Sequence, residues 1–147
     1  MERLDGETVI VTGASRGLGA SMAGRFAREG ANTVLAARSE DDLEAVAAAA
    51  DGETLVVPTD VTDEAEVEAL VDAALETYGG LTGLVNNAAI GMLSLYDELR
   101  DVAEIDADDW RRILDVNVTG AFLCAKHAAR GMASGNVINV SSGLGRR

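Results

Sequence analysis

Three glycines at Gly13, Gly17 and Gly19, spaced Gly-x-x-x-Gly-x-Gly, mark the part of this 147-residue chain best suited to chemistry. They lie in Thr12-Gly13-Ala14-Ser15-Arg16-Gly17-Leu18-Gly19, where the lack of a Cβ lets a ligand approach the backbone. Ahead of the loop, Thr8-Val9-Ile10-Val11 has the β-branched composition of a short buried strand. Behind it, Leu18, Met22 and Phe26 recur at four-residue spacing, which predicts a helix with those side chains on one face. Gly30 supplies its stop. A strand, a glycine loop and a helix in succession gather the unpartnered first N–H groups and the positive end of the helix dipole at one point. The chemistry this suits is the binding of a nucleotide pyrophosphate.

The other elements must place that loop at the end of a sheet. A second strand is expected at 32–37, followed by a helix from 40 to about 50, capped by Ser39, with Leu43, Val46 and Ala47 inward. A third strand, 54–57, is closed by Pro58, the only proline. Thr62 is the expected cap of a helix over 63–78, with Glu66 completing a loose capping box and Val67, Leu70, Val71, Ala74 and Leu75 forming its apolar stripe. A short fourth strand at 83–87 leads into an irregular excursion with a brief helix near 95–102. Asp106 then caps a long helix running to about residue 132, with Trp110 as a packing anchor and Gly120 at a close contact or bend. A fifth strand is expected at 136–140. Alternating strands and helices with short apolar strands imply an α/β, doubly wound parallel sheet with helices on both faces, in one domain over residues 1–147.

Five motifs in this order resemble those of the short-chain dehydrogenase/reductase family, and the likeness covers essentially the whole chain. The glycine loop is similar to its cofactor loop, and Asp60-Val61 to its adenine contact. Asn86-Asn87-Ala88-Ala89 resembles its Asn-Asn-Ala-Gly motif, with Ala89 in the last place and still small. Asn117 falls where the family keeps a structural and catalytic asparagine. Val137-Ile138-Asn139-Val140-Ser141-Ser142 resembles the strand that delivers its catalytic serine, with Ser142 the better match. The resemblance implies a Rossmann-type sheet in the order 3-2-1-4-5. It also implies hydride transfer between a nicotinamide cofactor and a small-molecule carbonyl or alcohol, with Ser142 and Asn117 catalytic. Gly13, Ser15, Arg16, Gly17, Leu18, Gly19, Arg38, Asp60, Val61, Asn87, Ala88 and Ala89 would bind the cofactor. Read without the resemblance, Asp60 also fits a turn cap, Asn117 an ordinary polar helix residue, and Ser141 and Ser142 a strand end.

Charge argues the cofactor choice. A site that prefers NAD(H) places a carboxylate at the end of the second strand, where it holds the ribose hydroxyls. Here that end reads Ala36-Ala37-Arg38, and Arg38 with Arg16 suits a 2′-phosphate, so NADP(H) is expected over NAD(H). The family's catalytic tyrosine, followed by lysine at the fourth place, has no match, because neither Tyr78 nor Tyr96 has lysine there. The expectation is a domain incomplete at its C-terminus that holds cofactor but turns over little alone, with its fifth strand exposed along one edge. The alternative is a non-catalytic dinucleotide-binding or interaction module. The long helix at 107–132 is, by the same resemblance, a contact surface for a homo-oligomer.

Composition bounds the partners. A formal charge of −13, from 25 acidic and 12 basic residues, opposes binding to nucleic acid or an anionic membrane surface. No apolar leader opens the sequence and no stretch has the length of a membrane span, so a cytoplasmic setting is expected. A single cysteine, Cys124, excludes an internal disulfide, and a single histidine, His127, makes a metal site unexpected. The excess of carboxylates and the presence of only one lysine, Lys126, suit a protein adapted to high salt. On that reading, the melting temperature keeps rising in KCl beyond 1 M, where the Debye length is already about 3 Å and simple screening is spent. A plateau at lower salt in a thermal-melt series refutes the adaptation.

Overall fold

The computed structural model describes residues 3–142. Five strands, β1 (Thr8–Thr12), β2 (Asn32–Ala37), β3 (Thr54–Pro58), β4 (Gly83–Asn86) and β5 (Asn136–Asn139), form one parallel sheet in the order β3-β2-β1-β4-β5. This is the order the resemblance implies. The helices are α1 (Gly17–Arg28), α2 (Glu40–Ala49), α3 (Glu64–Tyr78), α4 (Met92–Tyr96), α5 (Ala107–Leu114) and α6 (Ala121–Gly131).

Alternation along the central strands splits the core into two layers. Ile10, Val34, Ala36 and Leu84 point to one face, where they meet Val67, Leu70 and Ala74 of α3 and Leu123 and Ala128 of α6. Val9, Val11, Leu35 and Val85 point to the other, against Ala23 of α1 and Leu43 of α2. Each fully buried aliphatic side chain contributes about 1.5–3 kcal/mol of transfer free energy. Small residues carry much of the packing. The buried face of α1 consists of Gly19, Ala23 and Ala27, flanked by partly buried Met22 and Phe26. Leu18, which the spacing places with them, is instead 58% exposed because it belongs to the first helical turn, beyond the sheet edge.

Other local expectations shift for physical reasons. Asp63, not Thr62, caps α3: its Oδ1 accepts from the N–H groups of Ala65 and Glu66, while the Thr62 hydroxyl donates to Asp60. Glu66 reaches back, but to the N–H of Asp60 at 2.6 Å rather than to that of the cap. The short helix falls at Met92–Tyr96, with a 3-10 turn at Val102–Glu104. The long helix is interrupted by a π-helical segment, Asp115–Gly120. Gly120 closes that segment, and a Cβ there would lie 2.7 Å from Cγ2 of Val61. Trp110 is 52% exposed and so does not anchor packing. All four residues of β5 are exposed, and β4 is its sole strand neighbour among the described residues. No helix of the described residues is long and apolar enough to cross a membrane.

One polar contact fastens α3 to α6. Glu64 Oε1 accepts from Lys126 Nζ at 2.5 Å and lies 3.0 Å from Nε2 of buried His127. Hydrogen bonding to Lys126, then to His127, pulls the Glu64 carboxyl from an ordinary 4.5 down to about 2. A depressed carboxyl stabilises the fold above its unfolded value and loses that contribution as pH falls through the interval between the two. The expected outcome is that Glu64→Gln melts below the parent chain at pH 7, and that the gap narrows between pH 4.5 and 2. A gap that does not change across calorimetric scans in this range refutes the latch.

Candidate functional site

The carboxyl ends of β1 and β4 lie side by side, and the chain leaves them toward opposite faces of the sheet. Thr12, almost fully buried at the end of β1, holds this junction. Its Oγ1 accepts from the N–H groups of Asn87 and Ala88, at 3.0 and 3.1 Å, and donates to the Val85 carbonyl. Asn87 replies across the same gap: its Nδ2 donates to the carbonyls of Thr12 and Gly13, at 3.1 and 3.2 Å. The glycine loop is held down at a third point, where the Ala14 N–H donates to the Ala36 carbonyl of β2.

Two glycines are required by this packing. Gly13 has φ +65°, and a Cβ there would sit 2.9 Å from Cα of Ala88. A Cβ on Gly19 would lie 2.0 Å from the Gly13 carbonyl oxygen, so the helix start could not approach the loop. The α1 N-terminus also differs from its neighbours. Ser39, Asp63 and Asp106 cap α2, α3 and α5 with side-chain oxygens, and acidic residues occupy all three first turns. Arg16, at the cap position of α1, makes no such bond, and the first turn of α1 holds no acid. Its N–H groups and dipole are thus left for an anion.

A cleft of about 760 Å³ opens over this N-terminus. Gly13, Ser15, Arg16, Leu18 and Gly19 line it from the glycine loop, and Arg38 from the end of β2. Asp60 and Val61 line it after β3, and Asn87, Ala88 and Ala89 after β4. Gly17 is outside the lining; its φ of +57° turns the chain into the helix. Burial opposes ionisation of Asp60, but the N–H and hydroxyl of Thr62, aided by the charges of Arg38 and Arg112, hold its carboxyl below the ordinary range. The sequence reading missed Asp42, Arg111, Arg112 and Asp115, which also line the cleft. No local signal marks them, since α2 and α5 are remote from the loop in sequence. Arg16, Arg38 and Arg112 have no ion-pair partner among the described residues, in a chain with 25 acids.

A second cavity of about 740 Å³ adjoins the first, sharing Val61, Asn87, Ala88 and Ala89 with it. Ser141 and Ser142 line it past the end of β5, with Asn117 and Phe122 from the long helical stretch. Asn117 projects from the π-helical segment and grips one residue at both ends: Oδ1 accepts from the Ile90 N–H and Nδ2 donates to the Ile90 carbonyl, each at 2.8 Å. It thereby sets the path of the chain leaving β4. Tyr96 lines neither cavity. Its hydroxyl donates to Asp109, which raises its pKa, and the Arg100 guanidinium lies 4.0 Å above its ring. No group of three or more His, Cys, Asp or Glu among the described residues is arranged to hold a metal.

A parallel sheet in this order, with an uncapped helix and glycine cradle at the point where the strand order reverses, defines a dinucleotide-binding α/β protein. The family described as short chain dehydrogenase matches residues 7–147, and the chain belongs to it. Among its relatives, 2,5-dichloro-2,5-cyclohexadiene-1,4-diol dehydrogenase of Sphingobium indicum is 36% identical, over 99% of this chain and 58% of that protein. Glucose 1-dehydrogenase 2 of Bacillus subtilis is 37% identical, over 95% of this chain and 55% of that protein. A solved short-chain type dehydrogenase/reductase from Mycobacterium marinum superposes with a TM-score of 0.89 at 34% identity, covering 98% of this chain and 59% of that one. The chain thus spans little more than half the length of these relatives. Membership makes it an oxidoreductase-family protein and implies a nicotinamide dinucleotide cofactor.

The Thr12 junction is directly testable. Thr12→Val keeps the side-chain shape but leaves the N–H groups of Asn87 and Ala88 without their acceptor. A buried donor left unpaired costs about 1–3 kcal/mol. Thr12→Val is therefore expected to lower the urea midpoint markedly, with Thr12→Ser close to the parent. Equal midpoints for Thr12→Val and the parent chain count against the junction.

Proposed function

We propose that residues 1–147 act as one cofactor-binding unit of a cytoplasmic oxidoreductase that transfers hydride between NADP(H) and a small carbonyl or alcohol. The observation that carries this reading is the continuity of the two cavities through Val61, Asn87, Ala88 and Ala89. The phosphate cradle opens on one side of that shared wall and the Ser142 strand end on the other. The residues fit the group: the start of α1 carries neither a side-chain cap nor a first-turn acid, and Arg16 and Arg38, without ion-pair partners among the described residues, line the cleft beside it.

In this reading the α1 N–H groups and Ser15 hold the diphosphate, while Arg16 and Arg38 hold the 2′-phosphate by charge-assisted hydrogen bonds. Asp60 and Val61 bound the adenine. The first cavity receives the adenosine half and the second the nicotinamide half together with substrate. When bound, the nicotinamide supplies or accepts the hydride. The Ser142 hydroxyl donates to the substrate oxygen and so stabilises the charge that builds there during transfer. Asn117 completes the catalytic site by keeping Ile90, and with it the wall shared by the cavities, in place. The proton that balances the hydride requires a general acid or base, and no tyrosine of this chain has lysine at the fourth place. Such a group contributes about 10²–10⁴-fold in rate.

The second reading is a dinucleotide-binding module without chemistry, for which the first cavity and its arginines alone would serve. As for assembly, Trp110, Leu114, Val118 and Phe122 are exposed at four-residue spacing across α5, the π-helical segment and α6. We propose this stripe as the contact surface of a homo-oligomer.

Calorimetric titration is expected to show NADPH binding at least about tenfold tighter than NADH, a difference of about 1.4 kcal/mol. Steady oxidation of NADPH by the chain with a panel of ketones and aldehydes is expected to be negligible. Comparable binding of NADH overturns the cofactor choice. Steady turnover by chain of verified mass overturns the inactivity and discards the module. Absence of binding by either cofactor overturns the whole reading.

A further inference from the structure

Arginines reach the first cavity from three separate parts of the fold: Arg16 from the glycine loop, Arg38 from the end of β2, and Arg111 and Arg112 from α5. The two on α5 are not equivalent. Arg111 is committed to its own helix, with Nη1 2.5 Å from Oδ1 of Asp108. Arg112, exposed and one residue further on, has no carboxylate within ion-pair distance among the described residues. It stays free of an ion pair among the described residues although acids outnumber bases 25 to 12 in the chain.

Charge balance makes that position consequential. Asp42, Asp60, Asp108 and Asp115 line the cavity alongside the four arginines, so its lining is neutral in a chain of −13. The Asp60 carboxylate feels both Arg38 and Arg112, the latter from a different element. If Arg38 acted alone, its charge would be matched by Asp60, and an anionic ribose phosphate would gain little there. Arg112 supplies the surplus positive charge beside Asp60.

We propose that Arg112 is a cofactor-binding and specificity-determining residue: from α5 it offsets Asp60 and, with Arg38, holds the 2′-phosphate of NADP(H). This rests on the NADP(H) reading above. It adds a second element to the discrimination, so selectivity depends on α5 as well as on the loop after β2. Arginine is suited to the task because its fork presents paired donors to phosphate oxygens.

The test is calorimetric titration of the full chain with NADPH and with NADH, for the parent, Arg112→Gln, Arg112→Lys and Arg130→Gln. Arg130 lies on α6 outside both cavities, so its variant removes the same charge elsewhere. Arg112→Gln is expected to weaken NADPH about tenfold and NADH less than about threefold, with an unchanged melting temperature. Arg112→Lys keeps the charge and is expected to recover part of the NADPH affinity. Arg130→Gln is expected to leave both constants within about twofold. A parent chain that prefers NADPH while Arg112→Gln keeps the same NADPH-to-NADH ratio overturns the role of Arg112 alone. A parent chain with no preference overturns the NADP(H) reading and this proposal with it. If Arg112→Gln melts lower than the parent, Arg112→Lys decides: an NADPH-to-NADH affinity ratio above that of Arg112→Gln supports the proposal, and a ratio no higher than that of Arg112→Gln overturns it.

Discussion

Adjacent parallel strands whose chains depart toward opposite faces leave backbone groups at their carboxyl ends that neither strand can satisfy. In this protein that strain on hydrogen bonding falls between β1 and β4, the point where the strand order reverses. A buried hydroxyl and a side-chain amide resolve it: Thr12 accepts two N–H groups from beyond β4, and Asn87 donates to two carbonyls at the end of β1. The exchange ties the glycine loop to the loop after β4, so both rims of the cleft are set by one junction. Gly13 and Gly19 are the steric counterpart, since a methyl group at either would push the two loops apart.

Electrostatics builds on that geometry. A chain with this much negative charge would ordinarily repel a diphosphate. Here acids in the first turns of α2, α3 and α5 serve as caps or dipole partners, while the start of α1 is left without either. Arginines from three elements bring the cleft lining to neutrality. The site therefore owes its character as much to where acids are withheld as to where arginines are placed. Asp60 is the exception, kept ionised by Thr62 and its cationic neighbours in spite of partial burial. Glu66 adds rigidity by accepting the Asp60 N–H.

The second cavity depends on a different device. A π-helical segment widens the helical spiral at Asp115–Gly120 and presents Asn117 to the backbone of Ile90. Gly120 lets that segment close on Val61. Helix and loop are thus locked together beside the β5 end that carries Ser142. β5 is exposed on all its residues, and Trp110, Leu114, Val118 and Phe122 are exposed along the helical stretch.

Much of this architecture could be read in one dimension. Runs such as Val9-Ile10-Val11 and Val34-Leu35 are too short for helices, and the segments between strands carry helical periodicity. Strand-loop-helix succession then places Gly13, Gly19, Asp60 and Asn87 at one edge of a parallel sheet, because every such strand delivers its loop to the same end. Position along the chain did not disclose that Thr12 bonds partners 75 and 76 positions away. Nor did it show Arg112 lining the same cavity as Asp60, or Leu18 and Trp110 facing outward. Periodicity reports which residues share a face, whereas burial and pairing depend on what a remote element sets against that face. The cap of α3 moved by a single residue for a related reason. Thr62 and Asp63 are both residue types that cap helices, and Asp60 claims the hydroxyl of Thr62 once β3 has brought the turn into shape.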